Sequence, residues 1–167
     1  MNKEITSKII GQLKQENNFP DWWKSEAVEI PFFDNRKLTI TFMDCEPQHD
    51  KTFIKEADHA LTHFLKLTTT DRNAISDLAY KNCMDFLERT AHQDSHIKLK
   101  EITDITEIWN FIYPKKIHVT KRPYISRSFD KEKDIHIVIA CECEWDKEHG
   151  LQVVFRKGNI LTEINSQ

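Results

Sequence analysis

Apolar residues recur along this chain in two rhythms, and the switches between them outline its elements. Ile5, Ile9 and Leu13 stand four apart within residues 3–16, the spacing of one face of an amphipathic helix. Asn17, Asn18 and Pro20 end that segment. Asp21-Trp-Trp-Lys-Ser25 then reads as a loop whose adjacent indoles, Trp22 and Trp23, must each find cover or a partner. From Val28 the period falls to two. Val28, Ile30 and Phe32 alternate, Asp34-Asn35 supplies a turn, and Leu38, Ile40 and Phe42 alternate again, which predicts a β-hairpin. Pro31 has no N–H to give a ladder, so the first strand belongs at a sheet edge. Asp44 to Asp50 is an acidic, proline-containing connector.

The helical period returns next. Phe53, Ala57, Leu61 and Phe64, with Ile54 and Leu65, line one face of residues 51–66. Thr68 to Asp71 offers capping groups ahead of a second helix over 71–90, and the short connection predicts an antiparallel αα-hairpin. Residues 91–102 form a polar link. A short third helix begins near Asp104, since Asp104-Ile-Thr-Glu107 is an acidic capping box; Ile105, Ile108, Trp109 and Ile112 make its buried face and Pro114 stops it. Strands are predicted over 117–120, 134–144, 151–156 and 160–164, with Ile135, Ile137, Ile139, Cys141 and Cys143 on one face of the second. The order of elements implies an α+β fold: a largely antiparallel sheet, made of the N-terminal hairpin and a C-terminal meander, with the αα-hairpin and third helix packed on one face. Residues 1–24 read as an N-terminal helix and loop packed on a single α+β domain spanning 25–167.

Composition narrows the function. A chain of 167 residues suits one domain and can bury a core without a staple. The glycines Gly11, Gly150 and Gly158 are isolated, so no phosphate-cradling loop can be assembled. The net charge is −3, and the short basic stretches Lys115-Lys116 and Lys121-Arg122 read as solvated strand edges, which argues against nucleic acid as a partner. The polar N-terminus and the lack of a long apolar run give a cytoplasmic expectation with no membrane association. In that compartment the four cysteines are free thiols.

Three places could carry chemistry. Cys141 and Cys143 could offer two thiolates to a metal, with His149 or the Cys45/His49 pair completing a tetrahedron; as continuations of an Ile stripe they fit the core better. His59 and His63 lie one helical turn apart, with Glu56 three residues before His59, on the face opposite Phe53 and Leu61; a solvated polar face is the favoured reading there. Glu144-Trp-Asp-Lys-Glu-His-Gly150 contains acid and imidazole, which suit general acid/base work, but a polar loop between two apolar strands is also what a hairpin requires. No catalytic residues, cofactor or metal ligands are assigned. The acidic residues attract more interest. Glu142, Glu144, Asp146 and Glu148, with a second cluster at Asp44, Glu46 and Asp50, would make a negative patch for a basic partner if the two clusters meet.

Several of these segments together resemble an uncharacterised bacterial domain family. They are Ile30-Pro-Phe-Phe-Asp34 with Leu38 to Phe42, the Glu-Ala-Asp-x-Ala-Leu-x-x-Phe-Leu run ending at Leu65, Trp109, Ile112 and Pro114, and Cys143-Glu-Trp-x-x-Glu-His-Gly-Leu-Gln152 through Gly158. The resemblance covers residues 25–164, and Trp145-x-x-Glu-His-Gly-Leu-Gln152 is its most specific part. It implies a small cytoplasmic protein of the kind encoded beside bacterial secretion and toxin systems, some of which are immunity proteins, and it transfers no functional residues. The expectation is a binding protein that neutralises a cognate toxin by direct contact, using Glu142, Glu144, Asp146, Glu148 and His149, with Trp22 or Trp23 as anchors. The alternatives are a small metal-dependent or acid/base enzyme using His149, Glu148 and Cys141/Cys143, and a homodimer assembled through a sheet edge.

Overall fold

The computed structural model describes residues 3–90, 102–123 and 134–166. The strands are β1 (Glu4–Ser7), β2 (Gly11–Gln15), β3 (Trp23–Ser25), β4 (Val28–Ile30), β5 (Arg36–Leu38), β6 (Ile40–Phe42), β7 (Ile112–Thr120), β8 (His136–Cys143), β9 (Leu151–Arg156) and β10 (Ile160–Asn165). The helices are α1 (Phe53–Phe64), α2 (Thr69–Ala74) and α3 (Ser76–Arg89), with 3-10 helices at Pro31–Phe33 and Ile105–Phe111. Eight strands form one sheet in the order β1-β2-β3-β6-β7-β8-β9-β10, antiparallel except where β6 runs parallel to β7. This is the expected α+β architecture. No helix of the described residues is long and apolar enough to cross a membrane.

The helices share their buried residues with one face of the sheet. Phe53, Ala57, Leu61 and Phe64 of α1, and Ala79 and Cys83 of α3, join Ile117, Val119, Ile137, Ile139 and Phe155 in a single core. α1 lies against β8 and β1, while α3 lies against the second 3-10 helix and β10. The β9–β10 turn seats under α1 at Gly158. Its φ is +95°, and a Cβ there would fall 2.7 Å from the Ala60 carbonyl carbon, so glycine is required both by conformation and by space.

Several elements differ from expectation. Residues 3–16 are not a helix but the β1–β2 hairpin, which adds two strands to the main sheet. A spacing of four is even, so it satisfies a strand as readily as a helix: Ile5 faces Leu13 across the pair, and Ile9 sits in the turn with 41% of its surface exposed. Asp58 of α1 fixes that turn by accepting from the Ser7 hydroxyl and the Lys8 N–H, while Ser7 Oγ accepts from the Ile9 and Ile10 amides. These partners lie some fifty residues away in sequence, beyond the reach of a local pattern.

The 28–42 hairpin forms, but only β4 and β5 pair, as a separate two-stranded sheet in which both strands are edges. Pro31 opens a 3-10 turn, Asp34 and Asn35 adopt left-handed φ of 55° and 61°, and β6 leaves to join the main sheet. The helix predicted over 71–90 is interrupted at Ile75. A capping box between Thr68 and Asp71 starts α2, and α3 begins at the buried Ser76, whose hydroxyl accepts from the Trp109 indole N–H at 2.8 Å. The third helix is 3-10 in form, begins at Asp104 as expected, and leaves Ile105 exposed. Pro114 does not stop that helix but lies inside β7, beside a bulge between Pro114 and Lys116 that tolerates its missing N–H. Lys115 and Lys116 therefore sit on an interior strand rather than on an edge.

Candidate interaction surface

Registers across the sheet identify the residues on the face opposite the helices. Thr41, His118, Val138 and Val154 lie side by side there, flanked by Lys24 and Lys14 on β3 and β2. The next row toward the start of β7 holds Lys116 beside Ala140, and the row after it holds Tyr113 beside Glu142. At the other end Trp22, just before β3, reaches over this face toward His118, their ring centroids 6.2 Å apart. Phe19 stacks on Trp22 with centroids 4.3 Å apart and planes at 18°, and Phe19 remains 48% exposed.

This surface unites several of the residues singled out from sequence and removes others. Trp22, Glu142 and Glu144 belong to it. Glu144 accepts from the Tyr113 hydroxyl at 2.9 Å, which raises the phenol pKa. Lys115 approaches Glu142 at 3.4 Å, and Lys147 approaches Glu144 at 3.7 Å. Glu148 and His149 are exposed on the β8–β9 turn next to this end of the sheet. Trp23 is no anchor: it is buried in the core, and its indole N–H donates to the Cys45 carbonyl at 2.9 Å. Asp146 does not face outward either. It is 5% exposed and its Oδ1 accepts from the His149 amide at 3.0 Å, which holds the turn closed ahead of Gly150 at φ 68°. Strand alternation ends at Cys143, so the side of the sheet a residue beyond it faces is set by turn geometry.

The two acidic clusters do not meet. Glu142 pairs with Tyr113 at the start of β7, whereas Asp44 hydrogen-bonds Thr120 at its end, about 23 Å further along the strand at roughly 3.3 Å per residue. Within the second cluster Asp50 is ion-paired. Lys121 reaches Asp50 at 2.8 Å and Glu56 at 3.1 Å, with Phe53 beneath its ammonium. Burial lowers the lysine pKa there, but the hydrogen bonds to Asp50 and Glu56 more than offset it and the net shift is upward.

The cysteines occupy the core, as favoured from sequence. None is in a disulfide and all four are buried. Burial raises the thiols of Cys45 and Cys83 to about 12 and that of Cys143 to about 11, and it raises Cys141 as well. Thiols this protonated offer no nucleophile or thiolate at neutral pH. Among the described residues no group of three or more His, Cys, Asp or Glu is arranged to hold a metal ion. Trp145, 1% exposed, closes the core beside Cys143 and donates its indole N–H to Asn82 of α3 at 3.0 Å.

His118, Tyr113 and Phe19 lie on this face although no local pattern in the sequence singled them out as contact residues, and His118 sits at its centre. Burial, with Lys116 adding a smaller effect, lowers its pKa to about 4, so it presents a neutral ring at physiological pH. Alternation along β7 placed it opposite Ile117 and Val119, but nothing local linked it to Trp22. An open pocket of about 500 Å³ lies beside the same loop, lined by Ile5, Pro20, Trp23 and Pro47 together with the polar Glu4, Glu46 and His49.

These features define an α+β scaffold with an aromatic, mixed-charge surface on one side of an open sheet. The chain belongs to a family described as a domain of unknown function (DUF6985), which matches residues 9–167. No curated protein and no solved structure matches it.

Proposed function

We propose that this protein is a binding module that recognises another protein through the surface running from Phe19 and Trp22, past His118 and Lys116, to Tyr113, Glu142 and Glu144. The observation that carries this reading is the Phe19–Trp22 stack, in which Phe19 is exposed and Trp22 half-buried beneath it. Aromatic anchors contribute much of the affinity of protein interfaces, and an anchor held in place before contact loses little conformational entropy on binding. Lys14, Lys24 and Lys116 along the face, with the Lys115–Glu142 and Lys147–Glu144 pairs at its far end, give it a mixed charge pattern that suits a polar rim around the aromatic anchor.

The partner within this reading is a secreted toxin domain, and the setting is the bacterial cytoplasm, where the protein acts as an immunity protein that covers the toxin's working surface. Support for that step comes from the likeness of the Trp145-x-x-Glu-His-Gly-Leu-Gln152 segment to small proteins encoded beside toxin systems. Such an inhibitor needs a stable scaffold, which the α+β fold provides, and a complementary surface, the role assigned here to the Phe19–Glu144 face.

The test is co-expression with the toxin domain encoded beside its gene. Wild-type protein is expected to restore growth. Phe19→Ala combined with Trp22→Ala should abolish protection, Glu142→Lys with Glu144→Lys should weaken it, and Glu88→Lys, exposed on α3 on the helix side of the sheet, should leave it intact. If no neighbouring toxin is suppressed, the immunity role is wrong; if the aromatic double variant protects fully, the assigned surface is wrong.

A further inference from the structure

We propose that His59 and His63 form a two-imidazole chelate for a late divalent transition-metal ion on the outer side of α1. The rings stand one helical turn apart, with centroids separated by 4.7 Å and planes at 73°. A bound imidazole places its centroid about 3.2 Å from the ion, from a metal–nitrogen distance of roughly 2.0–2.1 Å plus the ring's own radius. Two such rings meeting at about 90–110° on one ion have centroids roughly 4.5–5.2 Å apart, a window built on the same bond length. The observed separation lies inside it without any metal to draw the rings together.

The surroundings leave both rings available. Among the described residues neither imidazole takes part in a hydrogen bond or ion pair, and their contact is with each other. His49 and His149, by contrast, are engaged by Glu46 at 2.7 Å and Asp146 at 3.2 Å. The backbone under the pair is fixed, because Ala57, Leu61 and Phe64 anchor the opposite side of α1 in the core. Glu56, three residues before His59, is held by Lys121 at 3.1 Å, so it is not the third donor. The site therefore presents two imidazole nitrogens and leaves the remaining coordination positions to water. Imidazole donors select Cu²⁺, Ni²⁺ and Zn²⁺ over the oxygen-seeking Mg²⁺ and Ca²⁺. A second ligand held on the same helix acts at high effective concentration, so losing either one should cost most of the affinity.

Calorimetric titration of the full, metal-free chain with NiCl₂ near pH 7.5 tests the assignment, with thermal unfolding in parallel. The expected result is one bound equivalent and a rise in Tm with Ni²⁺. His59→Asn and His63→Asn should each weaken binding at least tenfold, and the double variant should be little worse than either single one. His49→Asn serves as a control and should bind like wild type, and both α1 variants should keep the metal-free Tm. Undiminished Ni²⁺ binding in either single α1 variant, or no binding by the wild-type chain at millimolar Ni²⁺, overturns the proposal.

Discussion

Replacing Asp58 with alanine tests whether a side chain on α1 builds the N-terminal hairpin. The carboxylate is 9% exposed and accepts two hydrogen bonds from the β1–β2 turn, one from the Ser7 hydroxyl and one from the Lys8 amide at 3.0 Å. Hydrogen bonds to a carboxylate contribute about 1.5–3 kcal/mol each, and burying the carboxylate cancels part of that. Its removal also leaves the Ser7 hydroxyl, 2% exposed, without its acceptor. A net loss of about 3 kcal/mol follows, which for a chain of this size lowers Tm by roughly 6–12 °C. The loss should be local as well as global. Amide exchange in β1 and β2 should accelerate more than exchange in β8, and acrylamide should reach Trp22 more readily, because β2 supports β3 just after it. Urea unfolding with hydrogen exchange by mass spectrometry measures both effects. A loss below about 0.5 kcal/mol, or unchanged protection of β1 and β2, would show that the hairpin stands on its own and refute the reasoning.

Gly158→Ala should destabilise by about 3 kcal/mol, combining a left-handed φ with overlap on the Ala60 carbonyl; denaturant titration checks it, and a loss under 1 kcal/mol would mean that the turn can shift away from α1. The pH dependence should carry a signature of His118. Between about pH 6.5 and pH 4 the unfolded chain binds a proton there that the folded chain, with its pKa lowered to about 4, does not. Stability should therefore fall as pH drops through that window, by up to about 3 kcal/mol from this residue, and His118→Gln should flatten that part of the profile. All four thiols should be silent toward a disulfide reagent at pH 8 until the chain is unfolded; rapid reaction of Cys141 or Cys143 in the folded protein would contradict their burial.

Long periodic runs were legible from sequence alone. The α1 stripe, the β8 alternation through Cys143 and the Thr68–Asp71 cap each follow from neighbours within a turn or a strand. For the same reason the cysteines could be assigned to the core, since they simply extend the isoleucine stripe of β8. Partnerships across the chain were not legible. Ile5, Ile9 and Leu13 fit two periods equally, and the partners that the strand form meets, Asp58 of α1 and strand β3, lie outside the segment. Trp22 and Trp23 are chemically identical neighbours. Strand alternation sends one into the core and the other onto the opposite face, and only the β3–β6 pairing decides which. The acidic clusters carry the same sign in sequence, yet the register of β7 with β8 sets them at opposite ends of the sheet. Local composition therefore determined which elements form and which residues want burial. Tertiary pairing decided which side chains share a surface, because that depends on strand order and register, and neither is encoded within a single element.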